Sequence, residues 1–149
     1  MMDMLVRLYD LPDIEEDLRR LEREGFLIRR PGAYERHLVA DWVGRNFSPK
    51  WVSEAKVAFG RQPISCYIAT REKKILGFAC YDVTARGFLG PMGVAEEVRR
   101  SGLGTVLLIS ALKGLRELGY AYGVIGGAVG AMPIEGSSPG IYMDILPEP

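Results

Sequence analysis

The stretch GPMGVAEEVRRSGLG, residues 90–104, decides how this chain of 149 residues is read. An apolar segment, Phe88 to Val94, leads into a short charged loop, then into Arg99-Arg100-Ser101-Gly102-Leu103-Gly104, then into TVLLISALKGLREL, an amphipathic run with no internal proline. The order is strand, loop, helix. Glycines at alternate positions let the backbone N–H groups come close to whatever sits above the loop, because no Cβ obstructs the approach. The first-turn N–H groups of a helix lack intrahelical partners, and the macrodipole places roughly half a positive charge there. Such a loop is suited to a diphosphate without any metal, and Arg99 and Arg100 add two formal charges beside it.

Three phosphate-binding loops compete for these residues. The P-loop requires Gly-Lys-Ser/Thr, and here Gly104 is followed by Thr105-Val106. The dinucleotide fingerprint requires three glycines early in a βαβ unit with an acid about 20 residues on, whereas this chain has two, late. The spacing of Val94, Arg99, Gly102 and Gly104 resembles the acyl-CoA motif of the GNAT N-acyltransferase superfamily: a strand-ending valine, then Arg/Gln-x-x-Gly-x-Gly/Ala five positions on. Glu96 and Arg100 stand where that family often has proline and glycine. The resemblance covers roughly residues 64–126. It implies an α/β domain with a central, mostly antiparallel mixed sheet and one splayed parallel strand pair flanked by helices. It also implies that backbone groups of Met92, Gly93 and Val94 bind pantetheine. The diphosphate then falls to Arg99, Arg100, Ser101, Gly102, Leu103 and Gly104.

Length and composition fit one domain over residues 1–149. Charged residues make up 26% and apolar ones 48%, a globular composition, and the net charge of zero leaves no electrostatic footprint for nucleic acid or an anionic membrane. Met1-Met2-Asp3-Met4 lacks the form of a secretory signal, and no apolar run is long enough to span a bilayer; a cytoplasmic protein is the expectation. Cys66 and Cys80 fall on expected strands and read as core. A metal site would need further Cys or His nearby, and His37 is the sole histidine, so no metal is expected.

The remaining elements follow from period and punctuation. Leu5 to Tyr9 reads as a first strand. Pro12-Asp13-Ile14 opens a helix with acids first and arginines last, ending at Gly25. A second helix runs from about Ala33 to Arg45. Ser48-Pro49 caps a third, Lys50 to Phe59. Trp42, Phe47 and Trp51 gather at the junction of the last two, either as local core or, as the resemblance implies, beside an acceptor site. Ile64 to Thr70 and Ile75 to Thr84 form a hairpin over a charged turn, and Phe88 to Val94 is the third antiparallel strand. Gly102 to Leu118 is the main helix, closed by Gly119. Ala121 to Ile125 lies parallel to the strand before it.

In the superfamily a further helix, often carrying a tyrosine general acid, follows this second parallel strand. Here Ile125 runs into Gly126-Gly127-Ala128-Val129-Gly130, which leaves no room for it: either a glycine-rich loop replaces the helix, or a segment is missing near Gly127. Tyr142, in an expected final strand Gly140 to Leu146, is the remaining tyrosine candidate; Glu96, Glu97, Asp82 and His37 are the other acid–base candidates. The reading is an acyl-CoA-dependent N-acyltransferase that moves acetyl from acetyl-CoA to a primary amine. The alternative is a module of the same fold that holds acyl-CoA without turnover. A sheet-edge homodimer is a further expectation.

Overall fold

The structure is a computed structural model and describes residues 3–126 and 144–146. Seven strands form one mixed sheet: β1 (Asp3–Arg7), β2 (Leu27–Arg29), β3 (Cys66–Arg71), β4 (Lys74–Tyr81), β5 (Phe88–Val94), β6 (Tyr122–Ile125) and β7 (Asp144–Leu146), in the order β2-β3-β4-β5-β6-β1-β7. All neighbours are antiparallel except β5 and β6. Four α-helices pack around it: α1 (Glu15–Arg23), α2 (Arg36–Asn46), α3 (Pro49–Ala58) and α4 (Leu103–Glu117).

The two faces of β4 show the layering. A Cβ added at Gly77 would lie 2.7 Å from Leu107 of α4, while the ring of its neighbour Phe78 meets Trp42, Phe47 and Trp51 from the α2–α3 side. Alternation along a strand requires this opposition, so the sheet lies between α4 and the α2–α3 pair. Helix α4 buries Leu103, Val106, Leu107, Leu108, Ile109, Leu112 and Leu115. Each fully buried aliphatic side chain stabilises by about 1.5–3 kcal/mol before the entropy of ordering is subtracted. That burial fixes α4, and with it the loop that precedes it.

Most expected elements appear within a residue or two, and the departures have local causes. The first strand is Asp3–Arg7, and Leu8–Asp10 turns as a 3₁₀ segment. The second helix begins at Arg36 after a 3₁₀ turn, Ala33–Glu35, in which Glu35 accepts from the N–H of Gly32 at 2.8 Å. Ser48 caps α3 by accepting from the Trp51 N–H. The hairpin turn places Glu72 and Lys73 at φ 51° and 65°, the left-handed pair that a two-residue connection demands. Strand β2 is too short to show a period; its pairing with β3, Leu27 opposite Thr70, creates it. Asp144–Leu146 is the outer edge strand beside β1, and the rest of the expected final strand lies outside the described residues.

Candidate functional site

Strand β5 sits in the middle of the sheet, and among the described residues one of its edges is paired only at its start. Towards β4 it is paired to its end, with Ala79 opposite Met92, Phe78 opposite Gly93 and Gly77 opposite Val94. Towards β6 the register holds only at Phe88 with Val124 and Leu89 with Ile125. Strand β6 ends at Ile125, so among the described residues the pairing on this side stops at Leu89. Gly90, Met92, Gly93 and Val94 are accordingly half-buried in a strand whose central position would otherwise enclose them. Unpaired strand groups are a template for an added chain, and among the described residues Met92, Gly93 and Val94 have a strand partner only on the β4 side. The opposite face is walled by aromatics: a Cβ at Gly93 would stand 2.4 Å from the Phe47 ring, which stacks at 4.9 Å on Trp51 and at 5.6 Å on Trp42. The aromatic cluster is therefore both packed core and the floor beneath β5.

Beyond Val94 the chain makes a 3₁₀ turn, Glu96–Val98, and then reaches Gly102, the N-cap of α4, in the left-handed region at φ 88°. Gly102 carries no side-chain cap, and no acid stands in the first turn of α4. The N–H groups of Arg99, Ser101 and Leu103 are used within the loop, donating to Glu96 O, Val98 O and Ser101 Oγ. The first intrahelical bond is Val106 N–H to Gly102 O at 3.2 Å. The N–H groups of Gly102, Gly104 and Thr105 donate to no acceptor among the described residues. A Cβ at Gly104 would meet nothing within 4 Å among the described residues, so the space beside that residue is open. Arg99 and Arg100 are exposed beside it.

Sequence reasoning missed two members of this region. Thr105 is one, since the motif ends at Gly104. The other is Arg20 of α1, whose Nη2 lies 2.6 Å from the position a Gly102 Cβ would take.

The acid–base candidates fare differently. Asp82 is buried, accepting from the Gly87 N–H at 2.7 Å and from the Tyr120 hydroxyl at 2.9 Å, with Arg61 Nη1 at 3.7 Å. Both hydrogen bonds fall on Oδ1, while Oδ2 faces Arg61, and together they pin the turn into β5. Burial, followed by this hydrogen bond to Asp82, pushes the Tyr120 phenol up. Glu96, Glu97 and His37 are exposed, and Tyr142 lies outside the described residues. Cys66 and Cys80 face one another across β3 and β4, both buried. The neighbouring Cys66 thiol and then burial raise the Cys80 thiol well above its usual range, the opposite of what a nucleophilic cysteine needs. Among the described residues no group of three or more His, Cys, Asp or Glu is placed to hold a metal ion. A separate groove of about 980 Å³ runs between α2 and the β3–β4 turn, and touches the phosphate-loop region only at Glu97.

Comparison with known proteins agrees with this geometry. Among solved structures, the GCN5-related glucosamine N-acetyltransferase region of a fungal multi-domain GH3 beta-N-acetylglucosaminidase superposes with a TM-score of 0.67 at 18% identity, over 84% of this chain and 18% of that one. A Drosophila protein gives 0.56 at 15% identity, over 83% of this chain and 40% of that one. The C-terminal domain of a lysylphosphatidylglycerol synthetase from Agrobacterium fabrum, so named only provisionally, gives 0.54 at 18% identity, over 84% of this chain and 46% of that one. The chain thus spans less than half the length of each, and at these identities the likeness is one of fold. Curated protein sequences give no match. No helix among the described residues is long and apolar enough to cross a membrane. The family model described as acetyltransferase (GNAT) family matches residues 13–128, most of the chain, and this chain belongs to that family.

Proposed function

We propose that the protein binds acetyl-CoA along β5 and over the N-terminus of α4, and transfers the acetyl group to a primary amine. One observation supports this above the others: among the described residues β5 has no partner beyond Leu89 on its β6 side, and the N–H groups of Gly102, Gly104 and Thr105 at the start of α4 have no acceptor. A pantetheine arm is a short chain of amides and can pair with such an edge as a strand would. The diphosphate at its end then reaches the helix N-terminus, where backbone donors and the macrodipole favour an anion.

The chemistry asks little of side chains. A neutral amine attacks the thioester carbonyl carbon, the C–S bond breaks, and the thiolate takes a proton. In this reading a β5 backbone N–H near Val94 donates to the developing oxyanion. Holding two reactants in register on a rigid strand can itself contribute about 7 kcal/mol or more. Asp82 is given a structural part, its Oδ1 accepting from the Gly87 N–H and the Tyr120 hydroxyl. The amine sheds its proton to water. Thermal melts with and without millimolar acetyl-CoA test binding: at about 100 times Kd the ligand should add roughly 2.7 kcal/mol, and an unmoved midpoint would sink the reading. CoA release measured over a panel of primary amines tests turnover. Stabilisation without release would assign the non-catalytic alternative, an acyl-CoA-holding module.

A further inference from the structure

We infer that Arg20 is a ligand of the acyl-CoA diphosphate, so that α1 forms part of the phosphate site. The inference rests on the acetyl-CoA reading above and names a residue that the motif does not contain. Its first ground is position: Arg20 Nη2 stands 2.6 Å from the point where a Gly102 Cβ would be, against the left-handed N-cap of α4. Its second ground is charge. The N-terminus of a helix carries roughly half a positive charge, so a guanidinium resting there is repelled rather than held.

The first turn of α4 has no acid, and Arg99 and Arg100 add to the positive side. Glu96 and Glu97 sit exposed on the preceding turn. Arg20's own counter-ion is Glu24, one turn on, at 3.4 Å, with both side chains partly open to water at 39% and 47%; pairs of this kind contribute little. Arg20 thus meets the pole of α4 at Gly102, two residues before the open position at Gly104. A bound dianion would reverse the sign of every one of these contacts. Arginine suits the role, since its planar fork can give two parallel N–H bonds to one phosphate. The side chain is also aimed in advance, because its neighbour Leu21 is fully buried and fixes the face of α1.

CoA also carries a 3′-phosphate, and the test separates it from the diphosphate. Calorimetry compares the parent, Arg20→Ala and Arg20→Lys with acetyl-CoA, with acetyl-dephospho-CoA, which keeps the diphosphate only, and with S-acetylpantetheine, which has neither group. Arg20→Ala should weaken acetyl-CoA and acetyl-dephospho-CoA alike by about ten- to a hundredfold, leave S-acetylpantetheine unchanged, and leave the ligand-free melt unchanged. Arg20→Lys should recover part of the loss. Equal affinities of Arg20→Ala and the parent for acetyl-CoA overturn the inference. So does a loss confined to acetyl-CoA, which assigns Arg20 to the 3′-phosphate, or a loss that extends to S-acetylpantetheine, which makes its role structural. A parent that binds none of the three overturns the underlying acetyl-CoA reading instead.

Discussion

Two glycines in one motif meet different constraints. Gly102 needs its left-handed φ of 88° and has Arg20 at its Cβ position, whereas Gly104 is in the first turn of α4 with open space above it. Replacing Gly104 by valine therefore costs the fold only a few tenths of a kcal/mol, or gains slightly, while its isopropyl group fills the approach to the free N–H groups. Gly104→Val should melt like the parent and fail to be stabilised by acetyl-CoA; a folded variant binding as tightly as the parent would remove this loop from the site. A second residue carries a pH signature. Glu35 is held down to about 2, chiefly by two hydrogen bonds from Arg29 at 2.7 and 2.8 Å. A depressed carboxyl contributes its stability above its unfolded pKa and loses it as pH falls towards the folded one. The ion pair thus stabilises fully at neutral pH and fades between about 4.5 and 2. Glu35→Gln should lose on the order of 1–3 kcal/mol at pH 7 and show a flatter acid limb across that window, measured by urea unfolding at stepped pH; parallel curves for the two proteins would contradict it. Gly102 and Gly104 were readable because their spacing is local. Arg20 was not, since its meeting with Gly102 depends on how α1 lies against the sheet, and no sequence period records that.

At the scale of elements, legibility followed length and punctuation. Phe88–Val94 and the body of α4 stand where strand and helix signals put them, bounded by Gly87 on one side and Gly119 on the other. What the pattern could not give was the pairing: the register shift between Ala79 and Tyr81, and the loss of β6 contact after Leu89, arise between strands rather than within them. The close fit of α4 on the sheet was equally silent. Gly114 looks like a weak point in a helix, yet a Cβ there would lie 2.4 Å from the Tyr81 ring. Tyr81 is itself fixed, accepting from Arg30 Nη2 at 2.7 Å and stacked on Tyr67. Gly114→Val should therefore cost about 1–3 kcal/mol through overpacking. The same substitution at Gly104, ten positions earlier in the same helix, should be nearly neutral. Urea midpoints with unchanged m-values check the contrast, and equal stability of the two variants would mean that α4 can shift away from β4 at no cost.

Over the whole molecule, the two ends of the described chain are closed onto one another. The first strand, β1, lies between β6 and β7, pairing Met4 with Ile125 on one side and with Ile145 on the other. Leu8 donates its N–H to Ala121 O at 2.9 Å, which ties the first turn after β1 to the start of β6. That β1 would be a strand could be read from its alternation, but its neighbours could not, because partners more than a hundred residues away leave no local trace. The consequence is cooperative. The α2–α3 layer, which carries Trp42 and Trp51, and the β5–α4–β6 unit share Phe78 and Gly93 as common ground, so neither can lose its packing while the other keeps it. Small domains built in this way unfold in one step. Tryptophan fluorescence, reporting on α2 and α3, and far-ultraviolet circular dichroism, dominated by the helices including α4, should give the same urea midpoint. Acetyl-CoA should move both midpoints together, although neither tryptophan lies on the phosphate loop. A fluorescence transition that precedes the dichroic one, or one that stays in place when ligand shifts the other, would show that the aromatic layer is a separate unit and not the floor of the site.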